Sequence, residues 1–312
     1  MAQTVKKKVK DNSKAPLVSV VMSVYNGEKH LREAIDSILN QTITDYEFII
    51  INDGSTDDTL KIIKSYKDPR IVLISRKNKG LVASLNEGIK KARGKYIARQ
   101  DADDISLLSR LEKQLGIIQQ NKKAVLIGAF GEYFTDRTSQ EGIYMMPYLQ
   151  PDFARRFFLG NTLMHGSALF NRRKIILSGL YSGKVGPVED YDLWSRLELE
   201  QFIIIPEVLY CYRLNEEGIS HQNMEQQSTA AADIRTRLWE KQNPPKLIIS
   251  ALWFRVLSYN RVDRQIIRQL LGDQKSLAIE AFRRKRYSAS IESFFAYIIV
   301  NIMNGILWIR KK

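Results

Sequence analysis

The sequence predicts an α/β protein: a mostly parallel sheet flanked by helices, with a C-terminal helical region behind it. Short runs rich in valine and isoleucine recur without polar alternation, as strands covered on both faces do. Stretches with helical apolar spacing, on the order of ten residues each, separate them, and clusters of Gly, Ser, Asp and Asn close each run. Composition agrees. At 312 residues, 44% hydrophobic and 26% charged, the chain is ordinary for a globular protein and unlike a disordered or polytopic membrane one.

The first strand is LVSVVMSV, residues 17–24, too short and too uniformly apolar for an amphipathic helix. A helix over 28–39 follows, then the strand YEFIIIND, a helix over 57–66, the strand RIVLIS, a helix over 82–92 and the strand KYIARQDADD. Past residue 105 the alternation loosens into a helix over 109–120, a strand AVLIG and less regular sequence to residue 212. From about residue 225 the pattern is helical and basic, and Pro244 and Pro245 interrupt it. The expected organisation is a basic tail over 1–15, a main domain over 16–235 and a helical region over 236–312. In such sheets ligands bind beyond the carboxyl ends of the strands, so residues just after each strand carry the functional reading.

Lysine and arginine number 48 against 34 acids, a net charge of +14. That surface suits an anionic partner: nucleic acid, anionic lipid or a phosphorylated substrate. The single cysteine, Cys211, and the three histidines exclude a Cys/His zinc module and point to a reducing compartment. Lys6, Lys7, Lys8 and Lys10 precede no apolar stretch, so a cytoplasmic protein without a signal peptide is expected. The segment FFAYIIVNIMNGILWI, residues 294–309, lies between Arg283, Arg284, Lys285, Arg286 and Arg310, Lys311, Lys312. It is shorter than the roughly 20 residues a spanning helix needs. It reads either as a helix in the membrane interface on anionic headgroups, or as a helix packed on the domain.

Three acidic clusters follow strand ends or open helices. Asp53 sits after three isoleucines and before Gly54-Ser55-Thr56; there it either caps the next helix or accepts a hydrogen bond from a nucleobase over the sheet edge. Asp101, Asp103 and Asp104 crowd the end of YIARQDADD. Carboxylates so close repel one another unless solvated or neutralised, and Mg2+ or Mn2+ suits an all-oxygen site facing a diphosphate. Glu189, Asp190 and Asp192 open the helix of VEDYDLWSRL. Acids in a first turn are favoured by the helix dipole, and a positioned carboxylate is also what deprotonation of an attacking hydroxyl requires.

In order, LVSVVMSVYNGEKHLREAIDSILNQT, YEFIIINDGSTDDT, NKGLVASLNEGIKKARGKYIARQDADD, HGSALFNRRKII and VEDYDLWSRL resemble the successive motifs of family 2 inverting glycosyltransferases of the GT-A fold, over roughly residues 16–215. The resemblance implies hexosyl or N-acetylhexosaminyl transfer from a nucleoside diphosphate sugar to an acceptor hydroxyl, with bacterial surface-polysaccharide synthesis as the setting. It implies that Val24, Tyr25 and Glu28 hold base and ribose, that Asp53 reads uracil, and that Asn78, Lys79 and Gly80 border the nucleotide. Asp101 and Ala102 fall on the nucleotide-sugar side, Asp103 with Asp101 at the metal, Asp190 with Glu189 at the base, and His165 on the acceptor side.

Two positions depart from the family pattern. Ser23 replaces the usual proline before Tyr25's strand end, and Asn215 stands where relatives often carry a histidine, a gap that Arg213 or His221 would fill. The expected partners are therefore a UDP-sugar, a glycan or lipid-linked glycan, and an anionic membrane surface at the cytoplasmic face, with no nucleic acid. Transfer directly to a polyprenyl phosphate is an alternative within the class; a non-catalytic nucleic-acid-binding protein is the alternative outside it, although no such motif is present.

Overall fold

The computed structural model describes residues 15–135, 138–142, 157, 160–214 and 224–242. In chain order the elements are β1 (Val18–Val24), α1 (Leu31–Leu39), β2 (Tyr46–Asn52), α2 (Thr59–Ser65), β3 (Ile71–Ser75), α3 (Leu81–Lys91), β4 (Tyr96–Gln100), β5 (Ile105–Ser106), α4 (Arg110–Gln120), β6 (Leu126–Thr135), β7 (Thr138–Gly142), β8 (Leu169–Asn171), α5 (Arg172–Leu177), α6 (Glu189–Ser195), β9 (Phe202–Arg213) and α7 (Met224–Gln242). The strands form one sheet in the order β3-β2-β1-β4-β8-β6-β9-β5, with β7 on β6.

The sheet is parallel from β3 to β4, as the regular alternation predicts, because each strand there is followed by a crossover helix. Beyond β4 it is mixed. Three-residue β8 runs antiparallel to both β4 and β6, while β6 and β9 pair in parallel across two register shifts near Phe130. This is where the sequence alternation loosens.

Both faces of the parallel half are covered. Leu31, Ala34, Ile35 and Ile38 form the buried stripe of α1 at spacings of three and four residues. They join Val18, Val20, Met22, Phe48 and Ile50 of β1 and β2, and Leu111 and Leu115 of α4, in one core. On the other face α3 presents Gly88 to Val21 and Ile51 so closely that a Cβ there would lie 2.5 Å from Val21 Cγ1.

At the amino end of the sheet a buried carboxylate ties three segments together. Glu47 of β2 accepts from Ser19 Oγ of β1 at 2.6 Å, from the Arg93 N–H at 2.7 Å and from Arg93 Nε at 2.9 Å. Burial pushes this carboxyl up, but the Ser19 and Arg93 donors outweigh it and hold it below its ordinary 4.5. A carboxyl with a depressed folded value stabilises above its unfolded value and loses that contribution as pH falls. Glu47→Gln is thus expected to cost about 1.5–3 kcal/mol near neutrality, as for a hydrogen bond to a charged group. Urea titrations should show the gap to the wild type closing as pH falls below the ordinary carboxylate range.

The chain divides into two units, and the whole sheet lies in the first: residues 1–145, 164–181 and 201–213. The second holds residues 146–163, 182–200 and 214–312, with α6 and α7. Within it Tyr191 and Trp194 of α6 are buried. Asp192 bonds Arg237 of α7 at 2.8 Å and Arg196 at 3.0 Å, joining the two helices. The apolar segment 294–309, and the helical region past residue 242, lie outside the described residues. Among the described residues no helix is long and apolar enough to cross a membrane.

Candidate active site

The first unit gathers most of the candidate residues at the carboxyl ends of β1 to β4. β1 lies between β2 and β4, so the strand order turns beside its end, the position where doubly wound sheets form a ligand crevice. Val24 closes β1 and is buried, while Tyr25 after it is 53% exposed. Glu28 Oε2 accepts the Asp58 N–H at 2.7 Å, and the Glu28 N–H donates to Asp57 at 3.1 Å, so Glu28 fastens the loop after β1 to the start of α2.

Asp53 follows β2 and is only 2% exposed. Its carboxylate accepts the N–H groups of Lys79 at 2.8 Å and Gly80 at 2.9 Å, and pairs with the Arg76 guanidinium. It thereby shapes the turn that carries Asn78, Lys79 and Gly80 instead of capping α2. Arg76 is held in turn by Glu87 at 2.7 Å and Ser84 at 2.9 Å. Gly54 lets the two loops touch. Its φ is +79°, and a Cβ on it would lie 2.5 Å from the Asn78 backbone nitrogen.

The turn after β4 is built on a buried polar frame. Gln100 donates through Nε2 to the carbonyls of Asp101 at 3.0 Å and Asp104 at 2.9 Å, spanning the turn. Its Oε1 accepts from Ser106 Oγ at 2.6 Å and Arg110 Nη1 at 3.1 Å. Tyr210 of β9 receives the Asp101 N–H at 3.2 Å and donates its hydroxyl to Asp104 Oδ2 at 2.9 Å. Arg213 donates its backbone N–H to Asp104 Oδ1 and its Nε to the Asp103 carbonyl, both at 2.8 Å. Asp104 is accordingly inside the fold, not in the crevice.

Electrostatics follow from this frame. Burial and the neighbouring Asp101 push the Asp103 carboxyl up to about 6. Burial, with Asp101 and Asp103, pushes Asp104 well above the carboxylate range, and burial pushes the Arg110 guanidinium down to about 10. Asp101 is paired with Arg99 at 2.5 Å. Among the described residues no three His, Cys, Asp or Glu side chains converge as a ready-made metal cage.

His165 lies in a 3-10 turn, His165–Ser167, packed against this acidic turn: a Cβ on Gly166 would lie 1.9 Å from Tyr210 Oη and 2.6 Å from Asp101 Oδ2. Burial and Arg99 hold the imidazole well below its ordinary range, so it is neutral, and Nε2 pairs with Tyr181 Oη at 2.7 Å. His221 lies outside the described residues. Asp190 and Glu189 open α6 in the second unit. There Asp190 Oδ1 accepts the Tyr191 N–H at 2.7 Å and Oδ2 accepts Asn161 Nδ2 at 2.6 Å.

Gln100, Arg110, Tyr210, Gly166 and Asn161 did not stand out in the sequence. One signal was available: Arg99 and Gln100 are polar residues inside a strand that is otherwise apolar, and buried polar groups need partners.

The glycosyl transferase family 2 model matches residues 19–177. An uncharacterised glycosyltransferase of Methanocaldococcus jannaschii is 40% identical over 208 residues, 64% of this chain and 71% of its own. Among solved structures, S. aureus TarS in complex with UDP-GlcNAc superposes with a TM-score of 0.62 at 15% identity, covering 91% of this chain and 90% of TarS. The mannosyltransferase PcManGT from Pyrobaculum calidifontis, in complex with GDP-Man and Mn2+, gives 0.55 at 16%, covering 94% and 88%. These two likenesses establish the GT-A fold. With the family match spanning the strand ends described above, the chain is a glycosyltransferase and belongs to glycosyl transferase family 2.

Proposed function

We propose that the protein is a metal-dependent inverting transferase that moves a sugar from a nucleoside diphosphate sugar, with UDP favoured, to a hydroxyl of a glycan or lipid-linked glycan in surface-polysaccharide synthesis. The observation that carries the donor half is the acidic turn Asp101-Ala102-Asp103 at the end of β4, beside the end of β1 where the strand order turns. Val24, Tyr25 and the Asp53-organised loop of Asn78, Lys79 and Gly80 edge the same crevice and suit a base and ribose.

The donor set fits a divalent cation. Two crowded carboxylates, one of them raised by burial and by its neighbour, form an all-oxygen site for a hard ion. Asp101 and Asp103 would hold Mn2+ or Mg2+, with diphosphate oxygens supplying further ligands. An ion held there would supply neutralising charge for the leaving diphosphate. Asp190 takes the acceptor's hydroxyl proton as the oxygen bonds to the anomeric carbon and the carbon–diphosphate bond breaks on the opposite side. TarS solved with UDP-GlcNAc and PcManGT solved with GDP-Man and Mn2+ support a nucleotide-sugar donor and a divalent ion.

Screening UDP-, GDP- and dTDP-sugars for Mn2+-dependent release of nucleoside diphosphate, and for a ligand-induced rise in thermal midpoint, tests this reading. No response to any of them would overturn it.

The site of action is proposed as the cytoplasmic face of the membrane, through the basic and apolar segment around residues 283–312. Seven flanking basic residues add about 1 kcal/mol each near an anionic surface, a contribution that salt screens, whereas apolar burial resists salt. The full chain is expected to co-sediment with anionic liposomes and to be released only in part by high salt. A chain ending at Arg286 should bind weakly and release fully. Equal binding by both would favour a helix packed on the domain.

A further inference from the structure

We propose that Asn161 is a positioning residue for Asp190: its side-chain amide fixes the carboxylate in the orientation that takes a proton from the nucleophile. This rests on the reading of Asp190 as the base. Within the second unit Asn161 Nδ2 donates to Asp190 Oδ2 at 2.6 Å, and the Leu163 N–H donates to Asn161 Oδ1 at 3.1 Å. The second contact sets the amide's orientation, because an oxygen that accepts a backbone N–H leaves the NH2 group to face the carboxylate.

The carboxylate is gripped on both oxygens. The Tyr191 N–H reaches Oδ1 at 2.7 Å while Asn161 reaches Oδ2. One donor on each oxygen defines the plane of the group. A carboxylate offers about four acceptor directions, and these two donors, one on each oxygen, orient it.

Two of the contacts that join the segment of Asn161 to α6 differ in kind. Tyr191 Oη donates to the Phe157 carbonyl at 2.6 Å, with the two rings edge-on at 4.7 Å between centroids, and both side chains are buried. That contact serves stability. Asn161 is exposed, so water competes for its hydrogen bond and its net contribution to stability is small. Its consequence is geometric: it sets where the Asp190 carboxylate points.

The decisive variant is Asn161→Asp. It keeps the size of the side chain and an acceptor for the Leu163 N–H, but sets a second carboxylate against Asp190. Two carboxylates in contact share a proton, which raises the apparent pKa of the base. The rate measured is release of nucleoside diphosphate from whichever UDP-, GDP- or dTDP-sugar the wild-type chain turns over fastest, with Mn2+. For Asn161→Asp we expect the acid limb of the kcat profile to move to higher pH. For Asn161→Ala we expect kcat to fall about 10-fold with the donor KM unchanged, a loss of positioning rather than of binding. Adding Asn161→Ala to Asp190→Asn should lower the rate no further, since the two act as one unit.

Wild-type kcat and pH profile in both Asn161 variants, with Asp190→Asn impaired, would overturn the assignment of Asn161 alone. Additive losses in the double variant would do the same, as would loss of the fold in both single variants. An unimpaired Asp190→Asn would remove the base reading and this inference with it.

Discussion

Asp190→Asn is expected to lower sugar transfer by about 10²-fold or more, because an amide cannot take a proton at neutral pH. The substitution keeps the shape of the side chain and changes no residue of the first unit, so Mn2+-dependent UDP affinity should be unchanged. A modest structural cost is also expected. Both oxygens of Asp190 accept hydrogen bonds, from Asn161 and from the Tyr191 N–H. An amide can offer its oxygen to only one of them and must face the other with its NH2 group. Measuring transfer beside UDP affinity and the thermal midpoint separates the chemical loss from this one. Transfer at the wild-type rate would make Asp190 a helix-start acid and put the base elsewhere.

Removing the carboxylate of Asp103 should have the second large effect, abolishing metal-dependent UDP affinity without unfolding the chain. The side chain adds like-charge crowding to Asp101 and Asp104, so its loss relieves repulsion. What ties residue 103 into the fold is its backbone: the Asp103 carbonyl accepts Arg213 Nε, and an alanine keeps that bond. Calorimetric titration of Asp103→Ala with UDP, with and without Mn2+, reads the outcome. Affinity and metal dependence equal to wild type would remove Asp103 from the metal site. Asp104→Ala should behave differently. Its carboxylate joins β9 to the turn through Tyr210 and the Arg213 N–H, so stability is what it should lose.

The parallel half of the sheet was legible because its signals are local. The apolar runs ending at Val24, Asn52 and Ser75 and the helical stripe of α1 lie in the structure within a few residues of their expected bounds. The strand expected as AVLIG instead runs on to Thr135. Its second half, with Gly131 and Glu132, lacks an apolar pattern and exists because β9 pairs with it. β8 has only three residues, and pairing with β4 and β6 makes it a strand.

The sequence by itself determined which acids could be functional. An aspartate just past a buried strand, or a cluster of three in a basic chain, is visible in any extended listing of the residues. The tertiary structure alone decided what each does to its neighbours. Asp53 reads locally as a cap or a base-reader, yet Lys79 and Gly80, far along the chain, supply the N–H groups that it organises. Asp104 looks equivalent to Asp103 until β9 brings Tyr210 and Arg213 to it from more than a hundred residues away. Asn161 has no local signature at all. Patterns of burial repeat with the period of a helix or strand and so can be read along the chain. Hydrogen-bond partners are chosen by proximity in the folded state, and sequence separation carries no record of that proximity.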